Sequence, residues 1–128
     1  MISADYFDKD RFAKDYGVRI VEAGNGTAKA AFDIEPRHCN AHGTVHGGMI
    51  FTLADVAFCY ACMSKGGVAV SLQANIHFTA PAFSGTLTAS AREISRSKRT
   101  GVYEVTVTDA AGTVVAAMTG TAYIKEAI

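Results

Sequence analysis

The stretch HGTVHGGMIFTLADVAFCYACM, residues 42–63, decides the fold of this chain. Between Met49 and Met63 nearly every side chain is apolar, and the lack of strand-like alternation predicts a helix from about 48 to 65. Gly66-Gly67 then end the helix. A single carboxylate, Asp55, lies in its middle. A helix with no polar face must be covered on several sides, by a sheet, by a second chain or by both, so we expect a homo-oligomer.

The remaining segments predict one antiparallel sheet beside this helix. Residues 4–15 are typical of a short polar helix, and Asn25-Gly26 predicts a hairpin turn between two strands. Four strand-like segments follow the long helix, which makes the fold class α+β with the helix on one face of the sheet. These segments are 68–78, 86–95, 101–109 and 113–124.

Length and charge narrow the functional classes. The 128 residues form one domain, 1–128, and a formal net charge of zero gives no indication of nucleic acid or of an anionic membrane as partner. The apolar run is shorter than the roughly 20 residues of a membrane span, and the N-terminus lacks the features of a signal peptide. We therefore expect a soluble, cytoplasmic protein.

Three cysteines without framework spacing are expected to be buried free thiols: Cys39, Cys59 and Cys62.

Asp55 is the first candidate for chemistry. Its helical neighbours Phe51, Thr52, Phe58 and Cys59 supply no cation, and a carboxylate in apolar surroundings is costly unless it is paired. The structural alternative is an acid that is hydrogen-bonded to a backbone amide or that caps another element. We favour a functional acid that faces a pocket, with a pKa raised by its surroundings.

Gly47-Gly48 and the nearby histidines supply the second candidate. The first amides of a helix have no internal partner, and glycine lets a ligand oxygen approach them, which suits an oxyanion hole. His38, His42 and His46 are spaced by four, as in some metal sites, but the intervening glycines disfavour a helix there and the HExxH motif is absent. His46 is better read as a positioning group, and His77 as structural.

The motif NAHGTVHGG, residues 40–48, is followed by Asp55, eight residues after Gly47. This arrangement resembles the hotdog-fold acyl-CoA thioesterases of the PaaI-type (phenylacetic acid degradation) branch. FxxP from Phe78 to Pro81 and KxTGVY from Lys98 to Tyr103 extend the resemblance to most of the chain. It implies a sheet wrapped around the long helix, dimers with a continuous sheet, and tetramers built from two dimers. It implies an acyl-CoA substrate and no metal or other cofactor, since coenzyme A belongs to the substrate.

The resemblance also implies roles for single residues. Asp55 matches the catalytic carboxylate, a general base or a nucleophile, and the Gly47 amide matches the group that polarises the thioester carbonyl. Asn40 and His46 match polar residues that line the catalytic site. Cys59 stands where certain relatives carry a hydroxyl. The substrate and coenzyme A are expected to meet Gly48, Ser71, Arg96, Lys98, Arg99 and Thr100.

The helix geometry gives an argument independent of the resemblance. Eight residues separate Gly47 from Asp55, which is about 12 Å along a helix, whereas a reacting carbonyl must lie about 3 Å from both groups. Two antiparallel copies of the helix across a two-fold axis would bring Gly47 of one to Asp55 of the other. The prediction is a thioesterase with two shared sites per dimer. The alternatives are an acyl-CoA-binding protein without turnover and a hotdog hydratase or dehydratase.

Overall fold

A computed structural model describes residues 4–126. Its elements are, in chain order, α1 (Ala4–Asp8), α2 (Arg11–Asp15), β1 (Arg19–Gly24), β2 (Thr27–Asp33), a 3-10 turn (Pro36–His38), α3 (Gly47–Met63), β3 (Val68–Phe78), β4 (Thr86–Arg96), β5 (Thr100–Thr108) and β6 (Val114–Lys125). Every strand pair is antiparallel, in the order β1-β2-β4-β5-β6-β3. The predicted α+β class is confirmed.

The N-terminal helix differs from the prediction. The segment 4–15 forms two short helices, because Asp10 caps the second one: its Oδ1 accepts a hydrogen bond from the Ala13 N–H at 3.1 Å. The backbone therefore turns between α1 and α2, and α2 begins at Arg11. This break brings Asp10 to the side of α3, as described below.

The hairpin and the strand alternation are confirmed. Asn25 and Gly26 both have positive φ, 54° and 81°, as a two-residue hairpin turn requires. On β5, Tyr103, Val105 and Val107 are buried and alternate with partly exposed residues. The buried face of the sheet is thus set by the pattern of the sequence.

Helix α3 packs against the strands of the sheet, β2 to β6, and supplies much of the core. Phe58 is fully buried and packs edge-on against Tyr103, with ring centroids 5.8 Å apart. Gly120 on β6 makes room for this ring, because a Cβ there would lie 3.0 Å from Phe58 Cζ. None of the helices within 4–126 is long and apolar enough to cross a membrane.

The cysteines depart in part from expectation. All three are free, as predicted, but only Cys62 is fully buried, whereas Cys39 and Cys59 are partly exposed. Cys39 lies in the loop before α3, and Cys59 lies on the face of α3 that the sheet leaves uncovered. The number of domains along the full chain stays a prediction.

Candidate functional site

Several cavities border α3: two of them contain the candidate groups Asp55 and Gly47, and a further one, of about 190 Å³, is lined by His46 and Gly48 among others. The first of the two has a volume of about 390 Å³ and the second about 320 Å³. Asp55 and Gly48 line the first cavity, whereas Gly47 lines the second. The other residues of the first are Asp10, Phe12, Ala13, Phe51, Thr52 and Val56, and those of the second are Thr44, Val45, Ile50, Phe78, Thr79, Ala80 and Pro81.

Asp55 is a partly buried acid without a local partner. Within the described chain its carboxylate forms no hydrogen bond and no ion pair, and burial raises its pKa above the ordinary value of 3.8, with the negative charge of Asp10 acting in the same direction. The apolar walls of the cavity make the carboxylate a stronger base than a surface acid. The structural alternative, an acid that bonds to a backbone amide, finds no support in residues 4–126.

The start of α3 leaves one amide free for a ligand. His46 Nδ1 accepts from the Gly48 N–H at 2.9 Å, and the His46 carbonyl accepts from Met49 and Ile50. No described group accepts from the Gly47 N–H. Since His46 Nδ1 acts as the acceptor, the neutral ring carries its proton on Nε2. This amide has the position and the helix-dipole environment of an oxyanion donor.

Gly47 is closely packed on its other side. A Cβ at this position would lie 3.3 Å from Phe78 Cζ, the end of an exposed ring at the close of β3. Because residue 47 has no side chain, a ligand can approach the backbone N–H at the start of α3. Phe78 is a site neighbour that sequence reasoning used only as part of the FxxP motif.

Asn40 holds the loop before α3 rather than lining either cavity. Its Oδ1 accepts from the N–H groups of His42 and Thr44, at 2.9 Å and 3.2 Å. The same loop contains His38, which is buried, accepts from the Glu35 N–H through Nδ1 and donates to the Tyr16 carbonyl through Nε2. Both ring nitrogens of His38 are thus used by the backbone.

The remaining candidates lie elsewhere. Ser71 is exposed on β3, opposite Ala122 and beside a bulge, at the edge of the sheet. His77, on the same strand, is also exposed, and its structural role stays a prediction. Within the described residues, no group of three metal-ligating side chains comes together.

The basic turn 96–100 lies at the opposite end of α3 from Gly47. Arg96 donates to the Cys62 carbonyl at 3.2 Å and so completes the helix end, and Thr100 bonds to Ser97. Arg99 donates to the Tyr123 hydroxyl at 3.2 Å and remains exposed, as does Lys98. Of the expected coenzyme A contacts, Lys98 and Arg99 are the ones whose charge is open to solvent.

Cys59 lies one helical turn beyond Asp55. Burial, and then the charge of Asp55, raise its pKa to about 12. The thiol is therefore neutral at physiological pH and cannot act as a thiolate nucleophile there. The position at which the resemblance implies a hydroxyl in certain relatives carries a neutral thiol in this chain.

Comparison with known proteins places this geometry in a family. The Thioesterase superfamily model matches residues 42–116, which includes both Gly47 and Asp55. This chain belongs to the thioesterase superfamily. It is 39% identical to the acyl-coenzyme A thioesterase PaaI of Escherichia coli over 102 residues, 79% of this chain and 73% of that protein. The expected family and the expected class, a thioester hydrolase, are confirmed.

Solved structures agree with this family and fold. The E. coli PaaI protein of the phenylacetic acid degradation operon has a TM-score of 0.90 at 36% identity, covering 94% of this chain and 88% of that chain. A Streptococcus mutans protein bound to acetyl CoA has a TM-score of 0.81 at 30% identity, covering 86% and 90%. The chain therefore has the hotdog fold.

Proposed function

We propose that this chain hydrolyses acyl-CoA thioesters to a free acid and coenzyme A, at a site that two protomers share. Asp55 of one protomer acts at the thioester carbonyl, and the Gly47 N–H of the other binds the carbonyl oxygen. The E. coli relative is named an acyl-coenzyme A thioesterase, and the S. mutans relative was solved with acetyl CoA, which supports coenzyme A as the carrier.

The observation that carries the shared site is the separation of the two groups. Gly47 and Asp55 line different cavities, and eight residues of helix place them about 12 Å apart. One carbonyl cannot lie about 3 Å from both within one chain. Two α3 helices running antiparallel across a two-fold axis would bring Asp55 to the partner subunit's Gly47.

The chemistry follows from the environment of each group. The desolvated Asp55 carboxylate either takes a proton from an attacking water or attacks the carbonyl itself. Negative charge then develops on the thioester oxygen, where the Gly47 N–H and the positive end of the α3 dipole stabilise it. The His46 Nε2–H is exposed and free to donate to the substrate. In the first case, collapse of this intermediate breaks the C–S bond, and the proton taken up by Asp55 goes to the leaving coenzyme A sulfur. In the second case, loss of the thiolate leaves an acyl–Asp55 anhydride, and its hydrolysis by water gives the free acid and supplies the proton that the thiolate takes up.

The edge of the sheet supports a dimer. β3 is an outer strand, and it exposes three large apolar side chains: Val70 at 45%, Leu72 at 60% and Phe78 at 53%. An exposed apolar edge is an association surface rather than a stable free edge. Pairing two such edges would extend the sheet and bring the two α3 helices side by side. A tetramer of two such dimers is part of the proposal.

The coenzyme A part and the acyl part of the substrate are assigned to different surfaces. In an antiparallel pair that sets Asp55 opposite the partner's Gly47, the end of α3 at Met63 lies about 12 Å beyond that glycine, and Lys98 and Arg99 lie at this end of the helix. Their exposed charges are candidates for the coenzyme A phosphates. Phe12 and Phe51 line the Asp55 cavity, which suits an aryl-acetyl, aromatic or medium-chain acyl group.

Three free thiols fit a reducing compartment, the cytoplasm.

A thiol-release assay tests this function. We expect the wild-type protein to release coenzyme A from saturated aryl and alkyl thioesters, and Asp55→Asn to keep substrate affinity while turnover falls by at least about a hundredfold. Tight binding of all thioesters without turnover would instead identify an acyl-CoA-binding protein. Addition of water to an enoyl thioester, with no thiol released from saturated ones, would identify a hydratase.

A further inference from the structure

The N-terminal helices supply one wall of the Asp55 cavity. Asp10, Phe12 and Ala13 lie on one side, and the exposed face of α3 lies on the other. Asp10 and Asp55 are the only charged side chains among the described residues that line this cavity, and most of the others are apolar. Phe12 is 61% exposed and forms the rim. The cavity thus combines apolar walls with two carboxylates.

The position of Asp10 is fixed by its structural role. Its Oδ1 caps α2 through the Ala13 N–H at 3.1 Å, and Ala13 is buried against the core. Lys9 and Arg11 flank it in sequence, yet neither lines the cavity, and in the described chain neither forms an ion pair with Asp10. The charge of Asp10 is therefore held at the cavity, where the described residues give its carboxylate a bond from the Ala13 N–H but no ion pair.

The negative charge of the cavity decides whether the acyl part or the coenzyme A part of the substrate can enter it. The coenzyme A part leads to phosphate groups, whereas the acyl part is usually neutral. Two carboxylates with no cation among the described lining residues repel anions, and low surrounding polarity strengthens that repulsion. Arg37 lines the adjoining cavity but pairs with Glu35 at 3.4 Å. The acyl part therefore occupies this cavity and the phosphate-bearing part leaves by another route. This step rests on the proposed thioesterase function.

We propose that Asp10 is a specificity-determining residue that rejects acyl groups carrying a negative charge. A terminal carboxylate on the acyl group would approach Asp10 inside a partly desolvated cavity. Like charges that meet in such a place cost about a tenfold to hundredfold loss of affinity. A neutral acyl group of the same length meets no such repulsion.

A matched pair of substrates tests the proposal. Pentanoyl-CoA and glutaryl-CoA have acyl chains of equal length and differ by a terminal carboxylate, so the ratio of their kcat/KM values reports charge selection. We expect wild type to prefer pentanoyl-CoA strongly, and Asp10→Asn to reduce that preference about tenfold, mainly through the KM for glutaryl-CoA. Asparagine caps a helix as well as aspartate does, so α2 is retained.

Asp8→Asn is the control variant. It removes the same unit charge from the same region, but Asp8 is exposed, pairs with Lys14 at 2.8 Å and does not line the cavity. We expect it to leave the ratio unchanged. The proposal is overturned if wild type accepts both substrates equally, if Asp10→Asn leaves the ratio as in wild type, or if Asp8→Asn changes it equally. Failure of the thioesterase function itself would appear differently, as no thiol release from pentanoyl-CoA.

Discussion

Replacing Asp55 by asparagine is expected to raise stability while it removes activity. The carboxylate is desolvated and lacks a partner within residues 4–126. Asparagine keeps a polar group at this place but removes the charge, and burying a charge costs more than burying a neutral polar group, by an amount on the order of 1–3 kcal/mol. Because the cavity keeps Asp55 partly in contact with solvent, we expect the low end, a gain of about 1 kcal/mol in the free energy of unfolding. For a chain of this length that is about 3–5 °C in Tm.

The pH dependence of this gain has a definite sign. The folded-state pKa of Asp55 lies above the ordinary value of 3.8, so ionisation of the group costs stability. That cost is fully present above the folded-state pKa, falls as pH drops through it, and is gone below the unfolded-state value. The advantage of Asp55→Asn over wild type should therefore be largest near neutral pH and shrink on acidification.

Urea unfolding at several pH values, at one fixed protomer concentration, measures this difference. Asp33→Asn serves as the matched control. Hydrogen bonds from Thr86 and Arg19 lower the pKa of Asp33, so its substitution should reduce stability at neutral pH, and this reduction should fade as pH falls. An Asp55→Asn variant that is less stable than wild type at neutral pH, or whose difference does not change with pH, would refute the account of Asp55 as an unpaired, desolvated acid.

Three further substitutions test the site, the core and the interface. Gly47→Ala should lower kcat about tenfold or more with little effect on KM, because its methyl group would lie 3.3 Å from the Phe78 ring and the resulting shift would misplace the oxyanion donor; steady-state kinetics showing wild-type kcat would count against that role. Phe58→Ala should lower the free energy of unfolding by about 3–5 kcal/mol, since it empties a fully buried site; a loss below about 1 kcal/mol in urea titration would contradict the packing. Leu72→Lys should dissociate the dimer and abolish activity, as sedimentation and thiol release would report, whereas Val21→Lys on the opposite edge strand should do neither. An active, dimeric Leu72→Lys protein would rule out pairing through β3.

Much of the fold was predictable because local signals were strong. Asn25-Gly26 requires two positive φ angles, and the alternation on β5 allows one face to be buried. The long helix was predicted within two residues at each end, Gly47–Met63 against 48–65. The division of the N-terminal helix was missed, although an aspartate at residue 10 is itself a capping signal.

The site was predictable only where its residues are close in sequence. Gly47 and Asp55 belong to one helix, so their spacing could be converted into a distance. Asp10 and Phe12 reach the same cavity from a separate helix about forty residues earlier, and no spacing rule relates them to Asp55. Arg96 was expected to meet phosphate, but its bond to the Cys62 carbonyl depends on tertiary packing, which the sequence pattern does not contain.

The central claim is that each working site needs Asp55 from one chain and Gly47 from another, and mixed dimers test it most directly. Chains carrying Asp55→Asn and chains carrying Gly47→Leu, each inactive alone, are unfolded together, refolded at equal amounts and checked for hybrids by native mass spectrometry. Random pairing makes half the dimers hybrid, each with one intact site, so activity should return to about one quarter of the wild-type rate. Hybrids that form and remain inactive would contradict the shared site.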